Sequence, residues 1–551
     1  MKKPFGLSFA AICLLITAVA HSQPTPNPLF SHLPPAADRV YEINFSALMA
    51  KANLGAVLNS LPPSKNAHTA MMFDILKNPS AAGVDFSNSI LIAQTTASGS
   101  DTLNFINILF QLSDSAKFRS TLSRLNSGLR FHRLPGKGTT AGKDKMGLAW
   151  NDRLVVITLA SRIDTTGPHH PDPANHHPDP AVHQPASAVP HLVSELAVEK
   201  SLAALAGFMG SPYTTDQRFL TGFASDADFH SWSNGTQNWT AMLSKLSSKL
   251  SSKLGKTQGM NGTKMPGGFY PPDKKQPPVL STLNFADGRM VFQSTSFLQA
   301  SEITVLNKIM DRPFNKDLLA RLPSGPLLGW AGFHINLGAI GDVLEQYHVR
   351  SKVDSSLAKK GLTLDDLTAV LGGDFLVAAL APDSVSATDT AKKKINFYFV
   401  TTLGDPARLI KLASKLSLFK DSTMTMQDTT KSKIFKDLGS KFIVRDNLLV
   451  ISSSREMAQK YFTHSDRRST DQAGDDEQRP SVVIDLRAIS AFLGTSASNN
   501  PKAMIAARLL EKLDRLTISS KLEGNNRLTT VQLITAEPSA NFLNTLMSIL
   551  H

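Results

Sequence analysis

Cysteine is almost missing from this chain: one residue, Cys13, in 551. That excludes a disulfide framework and a thiolate metal or redox centre. Glycine-rich phosphate loops are missing too. Neither G-x-G-x-x-G nor G-x-x-x-x-G-K-[ST] occurs, so the dinucleotide fingerprint and the P-loop are excluded. H-E-x-x-H and G-x-S-x-G are absent, and no Asp/Glu pair is marked as the flanking carboxylates of a glycosidase. Beyond the N-terminus no stretch approaches the roughly twenty uncharged apolar residues of a membrane-spanning helix. The protein is therefore expected to be soluble after export or held peripherally.

Charge of one sign is in modest excess, 58 Lys and Arg against 45 Asp and Glu. The excess is diffuse, and its densest patch is Lys245, Lys249, Lys253, Lys256, Lys264, Lys274 and Lys275. Such a distribution favours acidic envelope polymers or lipid head groups over nucleic acid as partners. Leu243, Leu246, Leu250 and Leu254 fall on one stripe there, predicting a surface helix that packs its Leu face rather than an interfacial one.

The N-terminus sets the compartment. Lys2 and Lys3 precede the apolar run Phe5 to Ala20, and Ala20-His21-Ser22 supplies small residues at the cleavage positions. Residues 1–22 read as a secretory signal peptide, with export to the periplasm or cell surface. Lipidation at Cys13 does not fit, because Ile12 precedes it and the apolar run continues past it. The mature chain is then free of cysteine and holds together by packing alone.

What is present is an internal repeat. Ile43-Asn44-Phe45-Ser46-Ala47-Leu48 follows Leu33-Pro34, and Ile335-Asn336-Leu337-Gly338-Ala339-Ile340 follows Leu322-Pro323. Ile484-Asp485-Leu486 after Pro480 is a third version. Leu103-Asn104-Phe105 with Asp114-Ser115-Ala116 pairs with Ile395-Asn396-Phe397 with Asp405-Pro406-Ala407, and Asp152 to Ile157 pairs with Asp446 to Ile451. The Asp287-Gly288 turn is mirrored by Gly524-Asn525-Asn526. The offset between copies is about 292 to 294 through Ile157, roughly 260 where Ala224 to Trp232 meets Ile484 to Phe492, and about 238 at the last hairpin. Both drops fall on low-complexity stretches of the first copy, a Pro/His-rich loop at 164–191 and a Ser/Lys/Gly/Pro-rich insertion at 244–278.

Alternating runs such as Val40 to Phe45 give strands with one buried face. The expected fold class is α+β, with two tandem duplicated domains, 23–316 and 317–551, each a mainly antiparallel sheet with helices packed on it. Each half is long enough to bury its own core.

Candidate sites are few. His169, His170, His176 and His177 stand in a seven-residue Pro-rich repeat whose imidazoles and carboxylates suit zinc, nickel or copper. Dense proline and the lack of a counterpart in the second copy favour an extended linker. Ser356/Lys359 and Ser417/Lys420 match S-x-x-K without its companion elements. Asn44 and Asn336, at strand-to-helix junctions, read as helix caps.

The opening Leu-Pro with Tyr41-Glu42-Ile43-Asn44, the Leu48 to Leu54 segment with Lys51, and Leu76-Lys77-Asn78-Pro79 leading into Gly83-Val84-Asp85 resemble a family of secreted or lipid-anchored Bacteroidetes envelope proteins, the domain of unknown function 4836. The chain departs from that family's commoner pattern in lacking a lipobox cysteine. The resemblance implies an envelope location and brings no functional residue; with that source, Asp101-Thr102-Leu103, Asp114-Ser115-Ala116, Asp383-Ser384-Val385 and Asp389-Thr390-Ala391 would fit the short pattern of periplasmic O-glycan acceptors, although Ser or Thr after Asp also suits turns and helix starts.

Taken together, the residues predict an exported, non-enzymatic binding or structural protein of the bacterial cell envelope, needing no cofactor and partnered by an envelope protein, glycan or lipid. The alternatives are a hydrolase of envelope polymers with its site between the repeats, or metal binding through the His-rich loop. Polar residues converging in a cleft would favour the hydrolase. Apolar residues lining a groove would favour the binding protein.

Overall fold

The computed structural model describes residues 27–52, 77–96, 103–125, 129–143, 145–162, 189–235, 277–346, 349–359, 361–382, 395–415, 442–463, 468, 481–496, 507 and 510–550. The fold is α+β, built on a large antiparallel sheet, as the alternating runs imply. In chain order the first elements are β1 (Arg39–Ile43), α1 (Phe45–Lys51), β2 (Val84–Asp85), β3 (Ile90–Thr96), β4 (Leu103–Leu112) and α2 (Ser115–Leu125). There follow β5 (Arg130–Leu134), β6 (Gly138–Lys143), β7 (Met146–Trp150), β8 (Leu154–Arg162), α3 (Val189–Ala206), α4 (Gln217–Phe223) and β9 (Phe229–Ser233). Next come β10 (Val279–Ala286), β11 (Arg289–Phe297), α5 (Ala300–Ile309), α6 (Asp317–Ala320), β12 (Leu327–His334), α7 (Ile340–Gln346), α8 (Arg350–Ala358) and α9 (Leu364–Thr368). The chain continues through β13 (Leu371–Leu380), β14 (Asn396–Leu403), α10 (Pro406–Lys415), β15 (Phe442–Arg445), β16 (Leu448–Ser452) and α11 (Arg455–Thr463). It closes with β17 (Ser481–Asp485), α12 (Leu486–Ser496), β18 (Leu513–Glu523), β19 (Asn526–Thr535) and α13 (Phe542–Leu550).

Two compact units result, Met1–Met49 with Leu58–Trp232, and Ala50–Val57 with Ser233–His551. This division falls elsewhere than residue 316, where the repeat was expected to turn over. The hairpin of β10 and β11 pairs through β11 with β19, which joins it to the strands of the second unit.

In the first unit the strands run β1, β3, β4, β8, β7, β6, β5, every pair antiparallel, with the short β2 also on β4. One face carries Leu112, Leu148, Trp150 and Val155 against Phe118 of α2. On the other, Phe105 and Ala160 meet Val193 and Ala197 of α3. Close approach of α3 depends on Gly147, where a Cβ would lie 2.3 Å from the backbone of Ala197. A buried relay then fixes the helix, Ser201 Oγ donating to Thr158 Oγ1 and Thr158 Oγ1 to Asn107 Oδ1, each at 2.7 Å.

The second unit orders its strands β10, β11, β19, β18, β17, β12, β13, β14, β16, β15, again all antiparallel. One face of β12 to β16 buries Trp330, Leu376, Tyr398 and Val450 beneath Phe314, Leu318, Leu319 and Tyr461. The Tyr461 hydroxyl donates to the Leu318 carbonyl at 2.7 Å. Burial pushes its phenol well above the usual range for tyrosine. The folded state therefore keeps the phenol neutral at a pH where the unfolded chain ionises. Stability is fully present below pH ~10 and falls as pH rises above it, by at most about 1.4 kcal/mol per pH unit. Tyr461→Phe is expected to flatten that loss in urea midpoints measured from pH 8 to 11, while costing about 1 kcal/mol at neutral pH for the lost hydrogen bond.

Local signals in the sequence have local outcomes. Asn44 accepts from Ala47 N at 3.2 Å and Asn336 from Gly338 N at 3.1 Å, so both are caps. Asp446 and Asn447 take φ of 52° and 55°, as a two-residue hairpin turn between β15 and β16 requires. Two pairings between the halves need correction. Leu112 and Leu403 both donate N–H to the turn carbonyls Arg153 and Asn447, and both stand two residues before the caps Asp114 and Asp405. Matching Phe105 to Phe397 is thus one residue out of step, and a one-residue slip on a strand exchanges its faces. Phe105 is buried and Phe397 is 43% exposed. Likewise Ala224 to Trp232 runs from the end of α4 into β9, whereas Ile484 to Phe492 runs from β17 into α12.

Candidate functional site

One side of the second sheet carries an apolar groove of about 470 Å³. Its floor is set by strand register. Gly329 of β12 faces Ile484 of β17 and Ala379 of β13, Ala331 faces Val482 and Val377, and Ala379 faces Phe397 of β14. Small residues in the middle and larger ones at the flanks produce a trough. Ile395, Val377 and Phe397 rise on one side, and Ile489, Phe492 and Leu493 of α12 on the other. At Gly329 a Cβ would come within 2.9 Å of the Val483 carbonyl, so the floor is held low by backbone proximity.

Val377, Ile395 and Phe397 are 45%, 45% and 43% exposed, against a general tendency for such side chains to be buried. Beyond Ala331 the apolar face continues through Phe333 and Phe375, stacked at 5.1 Å, and Phe399 beside them. Among the described residues that line the groove none is titratable. Each of its four strands is hydrogen-bonded on both sides, so none offers a free edge.

At the ends of the same strands a buried polar centre locks their pairing. Asp374 of β13, 1% exposed, accepts from Arg312 Nη1 at 3.1 Å and Nη2 at 2.7 Å, and from Asn315 N at 3.2 Å. His334 of β12 lies with Nδ1 3.2 Å from Asp374 Oδ1 and Nε2 2.9 Å from Asp311 Oδ1, and Asn336 donates to the other Asp311 oxygen at 2.9 Å. Two carboxylates thus bracket one imidazole, and the paired guanidinium makes the burial affordable. His334 and Asp374 face each other across the sheet, so the centre fixes the register that sets the groove floor.

The sequence candidates fare differently. His169, His170, His176 and His177 lie outside the described residues, as do the Lys-rich Leu stripe, Ser417 with Lys420, Thr102, Ser384 and Thr390. Among the described residues no group of three or more His, Cys, Asp or Glu is placed to hold a metal ion. Ser356 and Lys359 sit exposed on and just after α8. Asp114 caps α2 through Ala116 N and Lys117 N, with Ser115 donating to Asp152 at 3.1 Å. Sequence reasoning missed the groove and the His334 centre, because their residues come from segments spread between Asp311 and Leu493.

No helix among the described residues is long and apolar enough to cross a membrane. No family model matches the chain, and no curated protein matches it. Of solved structures, crystal form I of TP0453 is similar at TM-score 0.26 and 8% identity, covering 53% of this chain and 89% of that chain. Crystal form III of TP0453 gives TM-score 0.27 and 6% identity over 53% of this chain and 89% of that one. Similarity at that level assigns neither fold nor function, and the chain is characterised by its own geometry.

Proposed function

We infer that this is an exported binding protein of the bacterial cell envelope whose second unit holds a hydrocarbon chain, such as the acyl chain of a lipid, in the groove over β17, β12, β13 and β14. The observation that carries this reading is a trough of ligand-site size lined by apolar side chains, several of them large and half exposed. A peptide occupant would bring N–H and C=O groups that need partners. An unpaired strand edge could supply them, but these four strands are paired on both sides. A hydrocarbon chain needs none.

Tandem duplication is part of the same proposal. The pairings β1 with β3, β3 with β4 and β4 with β8 recur as β12 with β13, β13 with β14 and β14 with β16. Hairpins β10·β11 and β18·β19 turn at Ala286/Arg289 and Glu523/Asn526. When these turns are superposed, Gln293 corresponds to Thr530, and β11 pairs with β19 so that Gln293 faces Thr530. Two like hairpins meeting about a local two-fold axis is how two copies of one unit would join.

The test is titration of the purified mature protein with a fluorescent long-chain fatty acid. Saturable binding at one site, displaced by unlabelled fatty acid, is the expected result. No binding below the concentration at which the probe forms micelles would remove the proposal.

A further inference from the structure

The first unit places a serine, a histidine and a carboxylate in line. Ser225, exposed two residues beyond α4, has its Oγ 2.7 Å from His230 Nε2. His230 Nδ1 lies 3.1 Å from Glu42 Oε2, and both residues are buried, at 3% and 5% exposure. Glu42 in turn accepts from Asn27 Nδ2 at 3.0 Å through its other oxygen. The imidazole is stacked on Phe223, ring centroids 5.1 Å apart. β1, β9 and the end of α4 each contribute one member, and no sequence motif joins them.

The carboxylate decides the tautomer. With Nδ1 bare, the imidazole would present a lone pair to a buried carboxylate, so Nδ1 carries the proton and Nε2 is left as an acceptor. Ser225 O–H is the donor that reaches it. The Nδ1 and Oε2 atoms are close but out of line for a hydrogen bond, and such contacts often tighten only when substrate binds. The Gly222 carbonyl, 3.1 Å from Oγ at the helix end, competes with His230 Nε2 for the one hydroxyl proton, and the imidazole is the nearer acceptor.

We propose that Ser225, His230 and Glu42 form a serine-nucleophile site that hydrolyses small carboxylic esters, an activity separate from the groove of the second unit. Ser225 Oγ attacks the ester carbonyl carbon while His230 Nε2 takes its proton. The bond to the leaving alcohol breaks, and the departing oxygen receives that proton from His230. Water then attacks the acyl-serine, giving its proton to His230, and the carboxylic acid leaves as Ser225 Oγ is reprotonated. Glu42 is a positioning residue, holding the imidazole by its Nδ1 side. Ser225 is exposed, so its Oγ is open to an incoming ester.

The experiment treats the full mature chain with a fluorophosphonate probe and maps the adduct by mass spectrometry, alongside para-nitrophenyl acetate hydrolysis. The expected result is one adduct on Ser225 and ester turnover, both lost in Ser225→Ala, which stays folded with a modestly lower melting temperature because His230 Nε2 loses its partner. Glu42→Gln is expected to lower kcat at least tenfold with KM unchanged. An adduct elsewhere, no adduct, or equal turnover in Ser225→Ala overturns the proposal. A Glu42→Gln variant that unfolds like the parent yet keeps full kcat removes Glu42 from the site.

Discussion

Replacing Asp374 with alanine is expected to destabilise the second unit by about 3 kcal/mol, because the groups around this buried carboxylate lose their acceptor and each buried group left unsatisfied costs about 1–3 kcal/mol. Arg312 is 47% exposed and can be rehydrated, so it does not set the cost. His334 cannot, at 5% exposure, and Asn315 N loses an acceptor as well. Asp374→Asn retains an acceptor oxygen for Arg312 or Asn315 and is expected to recover about half of the loss. Urea unfolding monitored by tryptophan fluorescence checks this, since Trp330 lies on the same two-strand ladder. A midpoint unchanged in Asp374→Ala would mean that the centre does not hold β12 to β13.

Ala331→Trp is expected to weaken fatty-acid binding at least about 100-fold, equivalent to about 2.7 kcal/mol. Ala331 lies in the middle of the floor between Val482 and Val377, and an indole there would occupy the volume that a chain needs. The substitution points away from the packed core, so the unfolding midpoint should stay within about 0.5 kcal/mol of the parent. The paired control is Ala378→Trp on the opposite face, where the side chain is 1% exposed and overpacking is expected to cost stability first. Loss of stability with unchanged affinity in Ala331→Trp would detach the groove from binding.

The α+β class was legible because its signals are local. Asp and Asn caps, the Asp287-Gly288 and Asp446-Asn447 turns and period-two strands each act within a few residues. Register was harder. Leu103-Asn104-Phe105 and Ile395-Asn396-Phe397 look alike, yet the turn and cap positions align Leu112 with Leu403, one residue away from that match. Apolar residues occupy both faces of β14, so similarity of side chains could not decide which faced the core, and only hydrogen-bonded neighbours do.

The groove left no comparable signal. Gly329, Ala331 and Ala379 are ordinary strand residues one at a time, and become a floor only when β17, β12 and β13 lie side by side. The same holds for Ser225, His230 and Glu42, where the carboxylate stands 188 positions from the histidine in a different strand. Sequence motifs record catalytic groups that one local turn or helix brings together. Long-range β pairing assembles sites without them.

The measurement that tests the groove most directly is photo-crosslinking with a diazirine-bearing fatty acid, followed by mass-spectrometric mapping of the modified residues. The account predicts adducts concentrated on Val377, Ile395, Phe397 and Phe492, competed away by unlabelled fatty acid and absent from Ala331→Trp. Adducts scattered over the chain, or concentrated outside β12, β13, β14, β17 and α12, would contradict it.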